Sequence, residues 1–326
     1  MVLAAGLGTR LRPLTEEVPK PLVPVLGRPL VEHTLLLLRQ WGVADVVLNL
    51  HHLPEAVPAA LGDGSSIGLE LRYVVERGAI LGTGGGVRGA RPFLDDGSTF
   101  IVMNGDVLFA PDLPAALAHH RRLGALATMV VREDLAASAY GAVEIDADGR
   151  VRRLLGRPGW QGEPLRTTMF TGLHLLEPEV FDLLPETGCI VRGLYQPMLD
   201  AGRVIGAHVA RETWVELGTV ADYLRTNLAL ATGELRLPHL PPPCAGGLWL
   251  ELGVTVARSD LLRPPVVVGR GATIRAEVER SVVWDGATVD EPVHDAVVTS
   301  RQVVHVGPRA GGAIPCPDPG SGRARR

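Results

Sequence analysis

The chain has 326 residues, 46% of them hydrophobic and 21% charged, with a formal net charge of −4. That is enough chain for a large core and a second module, and the charge balance excludes a surface built to grip nucleic acid or an anionic membrane. Cys189, Cys244 and Cys316 are widely spaced and odd in number, so they form no metal motif, redox motif or disulfide framework, and a reducing cytoplasm is expected.

The chain opens on a short apolar run, Leu3-Ala4-Ala5, of the kind a buried parallel strand shows. Only Met1 and Val2 precede it, so the natural start is expected a few residues upstream. The run is too short, and lacks the basic flank, for a secretory signal. Gly6 and Gly8 follow at once, then Thr9 and Arg10. A glycine turn after a strand lets backbone N–H groups converge on phosphate, and an adjacent Arg pairs with phosphate oxygens through two N–H groups. Lys20 stands between Pro19 and Pro21. It is the only lysine among 32 Lys and Arg residues. A compact ammonium is a point charge that a planar guanidinium does not reproduce, so Lys20 is expected to do chemistry.

Strands and helices then alternate. A helix is expected over 30–41, stopped by Gly42, with strands over 45–50 and 69–75. Gly84-Gly85-Gly86 opens a helical stretch ending near Pro92, and a strand over 99–103 runs into Asn104-Gly105-Asp106. A helix over 112–123 leads to a strand over 125–131. A hairpin follows, 142–145 and 151–155, around the turn sequence Asp146-Ala147-Asp148-Gly149. Strands over 169–176, 204–209 and 213–217 and a helix over 221–230 complete the region. This order specifies an α/β fold with a doubly wound, mostly parallel sheet and a ligand at the carboxyl ends of its strands. The longest apolar run, 35–38, is far too short to span a membrane.

Residues 1–233 thus form the first domain, and 234–247 is a stiff proline-rich linker. Beyond it, 248–300 repeats an apolar triplet, a Gly and a small-residue step before Ile or Val, as in 266–274 and 281–289. Two or three rungs of a left-handed β-helix are expected, too few to stand alone and therefore docked on the first domain or on a second copy in a homo-oligomer. Residues 301–326 carry Gly, Pro and Arg without apolar patterning and are expected to be disordered.

Charged residues stand at three strand ends. Arg10 and Lys20 mark the first. Asp106 follows a strand through a Gly, where it is well placed to hold a hard divalent cation such as Mg²⁺, although an Asp there also serves as a turn or cap residue. Glu216, in Trp214-Val215-Glu216-Leu217-Gly218-Thr219, looks by itself like an edge-strand Glu. The His51-His52 and His119-His120 pairs lack metal-ligand spacing and read as surface.

The opening stretch resembles the signature of the sugar-1-phosphate nucleotidyltransferases, supported at 6–10, 19–22, 81–86, 104–106 and 214–219. The tail resembles the appendix seen in mannose-1-phosphate guanylyltransferases. The resemblance implies a cytoplasmic, Mg²⁺-dependent enzyme that joins a nucleoside triphosphate to a sugar 1-phosphate. It implies that Ala5, Gly6, Gly8, Thr9 and Arg10 hold the triphosphate, with Gly82 and Gly85 against the base. Arg10 and Lys20 would be the catalytic cations, with Lys20 on the sugar phosphate and α-phosphate. Asn104, Arg157, Thr171 and Gly172 would bind the sugar, and Asp106 and Glu216 the metal. GTP with mannose 1-phosphate is the first substrate pair, with UTP and N-acetylmuramate 1-phosphate, to which 81–86 also points, or another sugar-1-phosphate nucleotidyl transfer such as thymidylyl or cytidylyl transfer, as the alternative. An alternative of another class is a non-catalytic subunit that senses nucleotide sugars. The chain departs from the family pattern twice. Glu216 stands where Asp is usual, and Gly156-Arg157-Pro158 stands where Glu-Lys-Pro is common.

Overall fold

The computed structural model describes residues 1–307 apart from 135, 136, 138–140 and 244. Cys244 and Cys316 lie outside the described residues, as do 308–326. Two compact units emerge. Among the described residues, one gathers Met1–Ile80, Asn104–Ala110 and 212–307, and the other gathers Leu81–Met103 and Pro111–Arg211.

In the first unit, Val2–Leu3 pairs in parallel with Asp45–Leu50, which pairs in parallel with Glu70–Val75. The apolar run Val46-Val47-Leu48 explains why the central strand buries all but its first residue. The helix Leu30–Gln40 buries Leu30, Val31, Leu35, Leu37 and Leu38 along one face and ends one residue earlier than expected. A strand absent from the sequence reading, Val107–Phe109, starts immediately after the Gly105-Asp106 bend. It pairs antiparallel with Trp214–Glu216. The helix Val220–Thr232 then begins at Thr219, whose Oγ1 accepts the Asp222 N–H at 3.1 Å.

The C-terminal strands of this unit stack in three sheets. Leu248–Leu250, Val266–Val268, Val282–Val283 and Ala296–Val298 pair in parallel, in sequence order. Thr255–Val256, Thr273–Ile274 and Thr288–Val289 form a second face, and Leu262–Arg263, Val278–Glu279 and Val293–His294 a third. One row of valines faces inward to its own core with Ile274 and Val289. Another row, Val267, Val282 and Val297, joins Trp284 in a core shared with Leu11, Leu14, Val23, Leu26, Tyr223 and Leu230. Within the stretch expected to be disordered, Val303–His305 instead pairs antiparallel with Ala296–Val298. Its apolar pair, Val303-Val304, is short, and the partner strand supplies the hydrogen bonds that a bare pattern cannot reveal.

In the second unit, the long strand Arg166–Leu176 runs antiparallel to Phe100–Asn104, Ala127–Arg132 and Ala142–Ile145. Ile205–Val209 pairs in parallel with Ala127–Arg132. The expected hairpin is present, and Asp146 builds its turn by accepting the Asp148 and Arg150 N–H groups at 3.0 and 2.9 Å. His120, expected at the surface, is buried on the helix Leu113–Leu123, bonded to Thr128 Oγ1 and Glu177, each at 2.7 Å. Residue spacing alone could not show that this turn of the helix faces a strand carrying a polar Thr.

Two predictions concern stability. Trp284 donates from Nε1 to the Tyr223 hydroxyl at 2.9 Å, and that hydroxyl donates to the Pro24 carbonyl at 2.6 Å. Trp284→Ala is expected to cost about 3 kcal/mol in urea denaturation, because it empties a shared core and removes the donor to a buried hydroxyl. His33 and His239 meet at 2.9 Å, with His33 Nε2 3.0 Å from the Val25 carbonyl. Burial lowers the His33 imidazole from 6.5 to about 3 and His239 to about 4. Between pH 6.5 and 4 the unfolded chain therefore binds protons that the folded chain refuses, so stability falls as pH falls through that window. Denaturation across that range should show the slope, His33 contributing up to about 1.4 kcal/mol per pH unit, and His33→Gln should flatten it.

Candidate active site

The site of the first unit is built around the turn that follows Val2–Leu3. Ala4 N–H donates to Asn49 Oδ1 at 2.9 Å, and Asn49 Nδ2 donates to Glu76 Oε1 at 2.7 Å. Asn49 and Glu76 are both buried, so the turn starts from a fixed backbone. Ala5 is buried, and Gly6 is exposed with open space around it. Gly8 has φ +62°, and a side-chain carbon there would lie 2.8 Å from Thr15 Cγ2 and 3.0 Å from Lys20 Cβ. Only glycine meets both demands. Thr15 donates from Oγ1 to the Gly8 carbonyl at 2.9 Å, and Thr9 begins a single 3₁₀ turn that carries Arg10.

Pro19, extended at φ −63° and ψ 148°, hands the chain to a second 3₁₀ turn, Lys20–Leu22. Lys20 is only 8% exposed, and its Nζ donates to Asp106 Oδ2 at 2.6 Å. Gly105 brings Asp106 there. Its N–H donates to the Leu3 carbonyl at 2.9 Å, and a Cβ on Gly105 would lie 2.9 Å from that same oxygen.

Glu216 is placed by strand pairing. It sits opposite Val107, and the next residue, Leu217, donates its N–H to the Asp106 carbonyl at 3.0 Å. Glu216 Oε1 accepts from Arg10 Nη2 at 2.6 Å. Partial burial works against the Arg10 charge, but the Glu216 hydrogen bond and the attraction of Glu216, Asp106 and Asp222 outweigh it, so the guanidinium is held above its ordinary value. A Cβ on Gly218 would come within 2.8 Å of Arg10 Nη1. The 214–219 element therefore has three separate jobs: Glu216 binds Arg10, Gly218 makes room for it, and Thr219 caps the next helix.

Asp106, in the bend before Val107–Phe109, and Glu216, on the strand that pairs with it, are hard oxygen donors and are partly exposed, so their chemistry fits Mg²⁺. Among the described residues no three His, Cys, Asp or Glu side chains gather to hold a metal, so the remaining ligands would come from phosphate oxygens and water, which is how Mg²⁺ is commonly bound.

Asn104, expected at the sugar, ends the Phe100–Asn104 strand and is partly buried. The other predicted residues lie in the second unit. Gly82 and Gly85 serve close packing: added Cβ atoms would meet the Gly188 carbonyl at 2.6 Å and the Glu186 carbonyl at 2.4 Å. Gly85 is buried. Thr171 and Gly172 form an irregularity in Arg166–Leu176 where the register against Ala127–Arg132 shifts. Thr171 is buried and donates from Oγ1 to the Val130 carbonyl at 2.7 Å, while Gly172 has φ +86°. Arg157 is exposed beyond the hairpin, and its N–H and carbonyl both bond Leu154. Sequence reasoning missed Asn49 and Glu76. A lone polar residue within the apolar run Val46-Val47-Leu48-Asn49-Leu50 was the available signal for Asn49.

A strand-end glycine turn flanked by two cations and two carboxylates is an arrangement for handling nucleoside phosphates within an α/β fold. Residues 1–233 match the family described as nucleotidyl transferase, and the chain belongs to that family. It is 33% identical over 295 residues to mannose-1-phosphate guanylyltransferase of Mycobacterium tuberculosis, covering 89% of this chain and 80% of that protein. It is 32% identical over 327 residues to UTP–glucose-1-phosphate uridylyltransferase of Synechocystis sp., covering 87% and 82%. The crystal structure of HddC from Yersinia pseudotuberculosis shares the fold, with a TM-score of 0.57 and 24% identity over 69% of this chain and 96% of that one. Among the described residues no helix is long and apolar enough to cross a membrane.

Gly8→Ala is expected to destabilise the protein by about 1–2 kcal/mol from the left-handed backbone alone. Thermal unfolding measures it, and the clash with Thr15 and Lys20 should add to that loss.

Proposed function

We propose that this nucleotidyltransferase acts on a sugar 1-phosphate, with GTP and mannose 1-phosphate as its substrates. The observation that carries the reading is the convergence of Arg10 and Lys20 on Asp106 and Glu216 at the end of the glycine turn. An oxygen of the sugar phosphate forms a bond to the α-phosphorus, the bond from that phosphorus to the bridging oxygen breaks, and pyrophosphate leaves with the electron pair. The nucleophile is already an anion, so no general base is required. What remains is alignment and charge neutralisation. The backbone of Gly6, Gly8 and Thr9 and the Arg10 fork hold the triphosphate, with Arg10 on the departing pyrophosphate. Lys20 draws the sugar phosphate and α-phosphate, two anions that repel each other, onto one positive charge. Asp106 and Glu216 would hold Mg²⁺, which supplies further neutralisation of phosphate charge when bound.

The guanylyltransferase relative and the uridylyltransferase relative match this chain at nearly equal identity, and the coverage of both extends past the 1–233 region. Uridylyl transfer, including transfer to N-acetylmuramate 1-phosphate, is therefore the second reading.

A matrix of nucleoside triphosphates against sugar 1-phosphates, scored by pyrophosphate release, tests the proposal. Highest turnover is expected with GTP and mannose 1-phosphate. Highest turnover with UTP selects the second reading, and no turnover in any combination selects the nucleotide-sugar sensor. Lys20→Ala is expected to lower turnover by roughly 10²–10³ in that assay, the range for a lost transition-state contact. Asp106→Asn should abolish metal-dependent pyrophosphate release.

A further inference from the structure

We propose that Glu216 gates Arg10: its carboxylate occupies the guanidinium that a triphosphate needs, and a divalent cation that takes the carboxylate releases it. The proposal rests on the reading of the site given above. It makes metal and triphosphate binding mutually dependent, and Glu216 the residue that sets the dependence.

The site holds its charges as two closed pairs, Arg10 with Glu216 and Lys20 with Asp106, each at 2.6 Å. Carboxylate and phosphate oxygens compete for the same N–H donors. A triphosphate arriving alone takes both cations and leaves two carboxylates facing phosphate. A divalent cation arriving alone takes the carboxylates and leaves Arg10 and Lys20 unpaired. When both arrive, every charge is paired again. Each ligand therefore strengthens the other by the same factor.

The Arg10 pair is the adjustable one. Arg10 is seated against Gly218, where any Cβ would collide with Nη1, so the fork has a shaped resting place on the Glu216 side. The residue usual in the family at 216 is Asp, shorter by one methylene. Shortening Glu216 by that step, about 1.5 Å, breaks the 2.6 Å contact from the same backbone position while keeping a carboxylate for the metal. Asp222 also attracts Arg10 but spends its oxygens elsewhere, bonding Thr219 Oγ1 at 2.8 Å and Arg225 at 2.5 Å. It is a charge near Arg10 that does not hold it.

The test is equilibrium binding of inorganic triphosphate by calorimetry, with EDTA and with Mg²⁺, in the wild type and in Glu216→Gln, Glu216→Asp and Asp222→Asn variants whose thermal unfolding is monitored in parallel. Glu216→Gln should bind triphosphate without metal about 5-fold tighter than the wild type, the range for releasing a half-exposed ion pair, and the gain on adding Mg²⁺ should shrink by at least that factor. Glu216→Asp should show the same metal-free tightening while keeping a gain with Mg²⁺. Asp222→Asn should change metal-free binding by less than half as much. Metal-free affinity in Glu216→Gln no higher than in the wild type overturns the gate. So does equal tightening in Asp222→Asn, which reduces the effect to general charge. A wild type that binds no triphosphate even with Mg²⁺ overturns the functional reading and the gate with it, whereas binding that Glu216→Gln leaves unchanged overturns the gate alone.

Discussion

The pairing of two three-residue strands governs the site. Val107–Phe109 and Trp214–Glu216 are distant in sequence, yet their antiparallel register puts Glu216 opposite Val107 and ties Leu217 to the Asp106 carbonyl. Each carboxylate then finds its cation on the segment that follows the first strand. A slip of one residue would turn Glu216 to the opposite face, because side chains alternate along a strand, and Arg10 would lose its partner. Catalysis by alignment needs such a constraint, since the nucleophile arrives charged and the protein contributes mainly position.

The segment between Arg10 and Leu30 has little regular structure of its own, only short turns and a two-stranded hairpin. Its rigidity comes from packing. Leu11, Leu14, Val23, Val25 and Leu26 are all nearly fully buried in one core with the helix Val220–Thr232 and the C-terminal valines. Glu17, on the turn between the two cations, accepts hydrogen bonds from Thr299 Oγ1 and Gln302 Nε2 at 2.7 and 2.8 Å. The C-terminal strands are thus part of the scaffold of the segment that carries Arg10 and Lys20. Too few coils to stand alone is a condition that this shared core resolves.

Much of the fold was legible because it is local. The 45–50 strand is an apolar run, the Leu30–Gln40 helix has a helical stripe and a following Gly42, and the 146–149 turn is spelled by Asp and Gly. Within the candidate site, the lone lysine and the glycine spacing singled out Lys20, Gly8 and Arg10, which the fold places in one neighbourhood with Asp106 and Glu216. The buried support did not show, because Asn49 and Glu76 are recognisable only as partners of each other and of Ala4. The glycines of 84–86 were legible as the opening of a helix, but the chain from Glu186 to Gly188 that packs against Gly82 and Gly85 was not.

The sequence by itself determined which chemical groups the candidate site has to work with, because residue type limits chemistry: one ammonium, a fork beside a glycine turn, and carboxylates near strand ends. It also determined the α/β order through periodicity, which each segment carries alone. Tertiary structure decided which charges meet. The Lys20–Asp106 and Arg10–Glu216 contacts join residues 86 and 206 positions apart, and no local pattern encodes a distance across that much chain. It also decided that the family departure at Glu216 is a reach toward Arg10, since the effect of one methylene depends on what stands 2.6 Å beyond it.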